Sequence, residues 1–144
     1  MAEYVWHSRH AFAGATVLEV PVGSFSFVWL DSSIPSFTTP NIRIPTLQGT
    51  SLPSLILARL PPALRPCLIV TDLAPILSNI RASFILNDVT PDDGHVWVRE
   101  LLWGEFGPTG VDAVVEEIGE KWPGRKIDWI LGSDTFYDPK GGWW

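Results

Sequence analysis

Short apolar runs alternate with stretches of helical period along most of this chain, and that alternation restricts the possible folds more than any other feature. Gly14 to Val20 is β-branched and apolar and reads as a buried strand. Leu52 to about Leu60 reads as a helix that is apolar nearly all round, hence buried. Thr50 or Ser51 is placed to cap it, Pro53 lies in its first turn, and Pro61, Pro62 and Pro66 end it. Cys67 to Asp72 is a second apolar strand closed by an acid. Leu73 to about Asn87 has helical period, with Ile76, Leu77, Ile80, Phe84 and Ile85 on one face and Asn79, Arg81 and Ser83 off it. A polar turn leads to a third strand, Val96 to Leu102. Gly110 to Trp122 reads as an amphipathic helix. Val111, Val114, Val115 and Ile118 oppose an acidic, solvated face, and Pro123-Gly124 stops it. Ile127 to Leu131 is a fourth strand. Strands separated by helices imply a parallel sheet with right-handed crossovers, an α/β Rossmann-like architecture.

In such sheets ligands bind at the carboxyl ends of the strands, so the residues there are the candidates. Strand four stops at Gly132-Ser133, followed by Asp134, Phe136, Tyr137 and a second acid, Asp138. Asp72 ends strand two, where an acid can accept hydrogen bonds from ribose hydroxyls. Capping the helix that follows is an equal alternative. Glu19 near the end of strand one is either solvated or orients the next loop. Trp103, beyond strand three, is either core or a wall for a flat base. Trp6, in the Tyr4-Val5-Trp6 cluster, reads as a packing tryptophan in a frayed amino terminus, or as a lid over a ligand.

The chain has 144 residues, enough for one domain with a real core. A net charge of −6 argues against nucleic acid as a partner, because phosphate contacts need a basic face. A single cysteine, Cys67, excludes an internal disulfide and suits a reducing compartment, cytoplasm or nucleus. No run of about 18 apolar residues is present, so no membrane span is expected. The amino end lacks the apolar core of a signal peptide. No metal site is expected. Oligomeric state is not legible.

Residues 21–49 break the pattern. Four prolines, many Ser and Thr, and no period of 2 or 3.6 mark an irregular insertion, with a short strand possible at Phe25–Leu30. An intervening sequence kept in a gene model is the other explanation.

Together these residues resemble the seven-strand S-adenosylmethionine-dependent (class I) methyltransferases, and more narrowly the lysine methyltransferase family 16 type, in its methyltransferase-like 23 branch. The resemblance rests on Tyr4-Val5-Trp6, Val17-Leu18-Glu19-Val20, Gly49-Thr50-Ser51-Leu52-Pro53, Thr71-Asp72 with Leu77 and Asn79, Trp103-Gly104, and Ile130 to Tyr137, in that order. It covers nearly the whole chain except 21–48.

The resemblance implies S-adenosylmethionine as cofactor and a protein lysine or arginine as methyl acceptor. By position it places Trp6 near the methionine end of the cofactor. Glu19 and the glycine turn, here Gly23 and Gly49, face the methionine moiety. Asp72 takes the ribose hydroxyls, Trp103 lines the adenine, and Ser133 and Tyr137 lie close to the cofactor. Asp134 and Tyr137 form the D-x-x-Y motif on the acceptor side and carry the catalytic assignment.

The chain departs from the pattern in two places. The glycine turn after strand one is interrupted, with Pro21 where the first glycine is expected; deleting 24–49 on paper restores the spacing. The chain also stops soon after strand four, so the expectation is a partial methyltransferase domain over 1–144, incomplete at the C-terminus, with strand four as an apolar edge. A catalytically inactive methyltransferase-like fold that binds protein, or a non-functional truncated product, is the rival reading. A nicotinamide oxidoreductase is disfavoured, because G-x-G-x-x-G is absent.

Overall fold

The computed structural model describes residues 1–20, 51–102, 108 and 110–132. Four strands form its sheet: β1 (Thr16–Val20), β2 (Cys67–Asp72), β3 (Val96–Glu100) and β4 (Trp129–Gly132). Every neighbouring pair is parallel, and the order is β3-β2-β1-β4. The fold is the expected α/β Rossmann-like parallel sheet. Its strand order was not legible beforehand. The chain steps outward from β1 to β3, then returns across the sheet to lay β4 against the other side of β1. The order therefore reverses between β1 and β4, the kind of place where open α/β sheets form their binding crevice.

Strand periodicity sorts side chains onto two faces. Val17, Leu68, Val70, Val96, Val98 and Leu131 share one core with α1 (Ala2–His7), α2 (Leu52–Ala58) and α3 (Ala74–Ile85). Leu18, Val20, Ile69 and Leu101 pack on the other face against Val114 and Ile118 of α4 (Val111–Lys121). Helices thus cover both faces, as strands apolar on both sides require.

Several expectations are corrected. The amino terminus is not frayed: α1 and a 3-10 turn at Arg9–Phe12 dock it through Val5 and Phe12, both fully buried. Ile85 lies 62% exposed rather than on the buried face of α3, whereas Ser83 is buried and donates to Asn79 O at 3.0 Å. The contact with the sheet is made by Ile80 and Phe84. In α4 only Val114 and Ile118 are buried; Val111 and Val115 face outward. Each helix meets the sheet along a narrower stripe than its apolar content suggested. The elements otherwise match within a few residues. The insertion at 21–49, its strand at Phe25–Leu30 and everything after Gly132 lie outside the described residues.

The two sheet edges are finished differently. In β3 the main-chain groups of Val98 point away from β2. Its N–H donates to Asp92 Oδ1 at 2.8 Å, and its carbonyl accepts from Arg81 Nη2 at 2.6 Å. Arg81 Nε also meets Asp92 Oδ2 at 2.7 Å, so one ion pair closes that edge. Just before β4, Asp128 N–H donates to Thr16 O at 2.9 Å, and Asp128 Oδ2 accepts from Thr16 N–H at 2.8 Å. The alternation that follows turns the main chain of Trp129 and Leu131 away from β1. No side chain among the described residues closes that edge.

Candidate functional site

Glu19 and Asp72 stand at the carboxyl ends of adjacent strands. Glu19 pairs in register with Val70, and Asp72 lies two residues further along β2, so both side chains belong to the face that carries α1, α2 and α3. The strands are tied at this end by Thr71, whose hydroxyl donates to Glu19 O at 2.7 Å.

Glu19 is held by α2. Its Oε2 accepts the Ser54 N–H at 3.1 Å. Ser51, the residue before the helix, has a left-handed backbone (φ 42°) and makes no side-chain cap. The expected Thr50 or Ser51 cap is therefore not made by Ser51, and Thr50 lies outside the described residues. Glu19 supplies the acceptor instead, from another element, for one of the helix's first N–H groups. The α2 segment, Leu52–Ala58, contains no charged residue, so nothing on it balances the carboxylate. Burial raises the Glu19 pKa to about 7, against the lowering effect of its Ser54 hydrogen bonds and with a smaller push from Asp72.

Asp72 is 8% exposed, and its Oδ1 accepts the Leu73 N–H at 2.7 Å. The residue preceding α3 is Leu73, and no side chain caps that helix. Asp72 is thus fixed at the strand end and makes no side-chain cap to α3. Burial shifts its pKa upward, partly offset by the Leu73 hydrogen bond.

Trp6 is partly buried and packs against the core on the face shared by Glu19 and Asp72. Arg9 lies 4.7 Å from its ring centroid and donates to its carbonyl at 2.9 Å. Of the sequence-predicted site residues, the structure therefore joins Glu19 and Asp72 and places Trp6 in the helical layer over the same face. Gly23, Gly49, Trp103, Ser133, Asp134 and Tyr137 lie outside the described residues. Sequence reasoning missed Ser54 and Thr71 as the groups that hold Glu19. Thr71 adjoins the Asp72 signal, but nothing in the sequence marks a main-chain N–H at Ser54.

The arrangement is a pair of acids at the carboxyl ends of adjacent strands. Two carboxyl groups on neighbouring strand ends can accept hydrogen bonds from hydroxyls or meet a cation. These two acceptors suit a ligand that presents hydroxyls and a positive group.

Over 143 aligned residues the chain is 29% identical to the curated histone-arginine methyltransferase METTL23 of Xenopus laevis. The alignment takes in 97% of this chain and 42% of that protein, so the chain spans about two fifths of the length of the relative it matches. No protein-family model matches the chain. No solved structure matches it. The similarity and the parallel sheet both fit a methyltransferase-like fold.

Proposed function

We propose that this chain carries the cofactor-binding part of an S-adenosylmethionine-dependent methyltransferase whose acceptor is an arginine or lysine side chain of a protein. The observation that carries the reading is the pairing of Asp72 and Glu19 at the carboxyl ends of adjacent parallel strands, beside the point where strand order reverses. Asp72 accepts the ribose hydroxyls, for which its fixed, nearly buried carboxylate is pre-oriented by the Leu73 N–H. Glu19 faces the methionine end. The bound cofactor supplies an electrophilic methyl group on a sulfonium. The protein's task is to align an acceptor nitrogen with it and exclude water, and good alignment can account for roughly 7–11 kcal/mol of barrier. Asp134 and Tyr137 are assigned to the acceptor side. The similarity to a histone-arginine methyltransferase supports a protein acceptor. A reducing setting, cytoplasm or nucleus, belongs to the same reading.

Calorimetric titration of S-adenosylhomocysteine into the full chain tests it. Binding is expected. Asp72→Ala is expected to weaken it by about 1.5–3 kcal/mol, the value of a hydrogen bond to a charged group. A folded Asp72→Ala protein with unchanged affinity rules out the ribose assignment. Absence of binding by the folded parent chain rules out the function.

A further inference from the structure

We propose that Trp97 and Trp122 form a two-walled recognition site for a methylated lysine of a partner protein, and that Lys121 is its tethered, displaceable occupant. The site is separate from the proposed cofactor crevice. Trp97 is the second residue of β3, near the amino ends of the strands, and packs with the α4 layer. Glu19 and Asp72 belong to the opposite face, at the carboxyl ends.

The two rings meet edge to face, with centroids 6.4 Å apart and planes at 86°. Both are half-buried and pack against the same core cluster. Trp122 is also held by its indole N–H, which donates to Gly94 O at 3.2 Å. The corner already draws cations. Arg99 Cζ lies 5.4 Å from the Trp97 centroid, and Lys121 Nζ lies 5.9 Å from Trp97 and 6.0 Å from Trp122. The two cations differ. Arg99 is committed to Glu117 at 2.6 Å and to the carbonyls of Glu100 and Pro108. Lys121 is exposed and sits at the outer limit, about 6 Å, at which a ring attracts a cation. A primary ammonium is compact and strongly hydrated, so it gains little there. A trimethylammonium group is wider and less hydrated, and it can touch both rings at once.

The surroundings select the ligand's neighbours. Asp112, Glu116 and Glu120 are exposed on one face of α4 at i, i+4 and i+8, and that face ends beside Lys121. Basic residues flanking a methylated lysine complement these acids. A phosphocholine head group, with the same cation next to a phosphate, is repelled by them. The partner is therefore a protein segment that is basic around its methylated lysine.

Calorimetric titration of the full chain with three matched peptides tests the proposal. Each has lysine-rich flanks around one central residue: trimethyllysine, lysine, or the neutral isostere in which a tert-butyl group replaces the trimethylammonium. We expect the trimethyllysine peptide to bind about tenfold more tightly than either of the others, the effect of a cation against two ring faces. Lys121→Ala is expected to tighten that binding at least about twofold, because the tethered competitor is gone. Trp122→Ala is expected to lose the preference. The wild-type chain gives a reading that needs no variant: the indole N–H resonances of Trp97 and Trp122 should saturate at about tenfold lower concentration of the trimethyllysine peptide than of the isostere. Equal affinity for trimethyllysine and its isostere, weaker binding by Lys121→Ala, or no binding of any peptide overturns the proposal. Phosphocholine bound as tightly as the trimethyllysine peptide overturns the protein partner.

Discussion

At the scale of single residues, Glu19 sets a stability cost that depends on pH. Its folded pKa of about 7 lies above the ordinary 4.5. Below that ordinary value both folded and unfolded chains hold the proton, and the cost is absent. Between the two values the unfolded chain ionises first, so stability falls as pH rises. Above about pH 7 the loss is complete. The full effect is up to about 3 kcal/mol, smaller to the extent that solvent reaches the partly exposed carboxyl. Asp72, also shifted upward, adds a slope of the same sign. Glu19→Gln should therefore be more stable than the parent at pH 7.5 and nearly equal to it at pH 4. Urea midpoints across this range check the prediction, and a variant that loses stability at pH 7.5 contradicts it. Glu19 was legible as an acid near a strand end. Its burial was not, because that depends on α2 lying over it.

Among the elements, helix and strand ends are finished by side chains from elsewhere in the chain. Glu19 serves the first turn of α2 across 35 residues, and Arg81 with Asp92 closes the outer edge of β3. Asp92 has φ 64°, a conformation that glycine adopts without strain. Asp92→Gly thus preserves the turn and removes the acceptor for Val98 N–H. We expect that amide to exchange with solvent at least about tenfold faster, corresponding to loss of about 1–3 kcal/mol of local protection. Unchanged exchange would show that the edge is not closed by this pair. The core stripe of α3 yields a second prediction. Phe84 is fully buried and meets the sheet, so Phe84→Ala should cost about 3–5 kcal/mol, read as a lowered denaturation midpoint. Ile85→Ala, at 62% exposure, should cost far less.

At the scale of the whole molecule, the two sheet edges differ among the described residues, and the difference predicts where self-association begins. The β3 edge is covered by an ion pair, whereas on β4 Ile130 is 65% exposed and Trp129 37% exposed. Trp129 is partly held by Phe12, with ring centroids 5.2 Å apart, but Ile130 projects from the opposite face beyond the cover of α4. Ile130→Lys should leave folding stability within about 0.5 kcal/mol and reduce light scattering at high protein concentration. Scattering equal to that of the parent would place the association surface elsewhere.

The sequence by itself determined the kinds of element, their succession and the acids at two strand ends, because those follow from local period and from where apolar runs stop. It therefore sufficed for a parallel α/β sheet and for Asp72 and Glu19 as candidates. Tertiary structure alone decided that β4 lies beside β1, since strand pairing joins residues more than a hundred positions apart and no local pattern names the partner. It also decided that Val111, Val115 and Ile85 stay exposed while Ser83 is buried. A helix has more apolar surface than one sheet contact can cover, and only the docking angle selects the buried stripe. The raised pKa of Glu19 belongs to the same class, because desolvation is set by neighbours that the fold brings together.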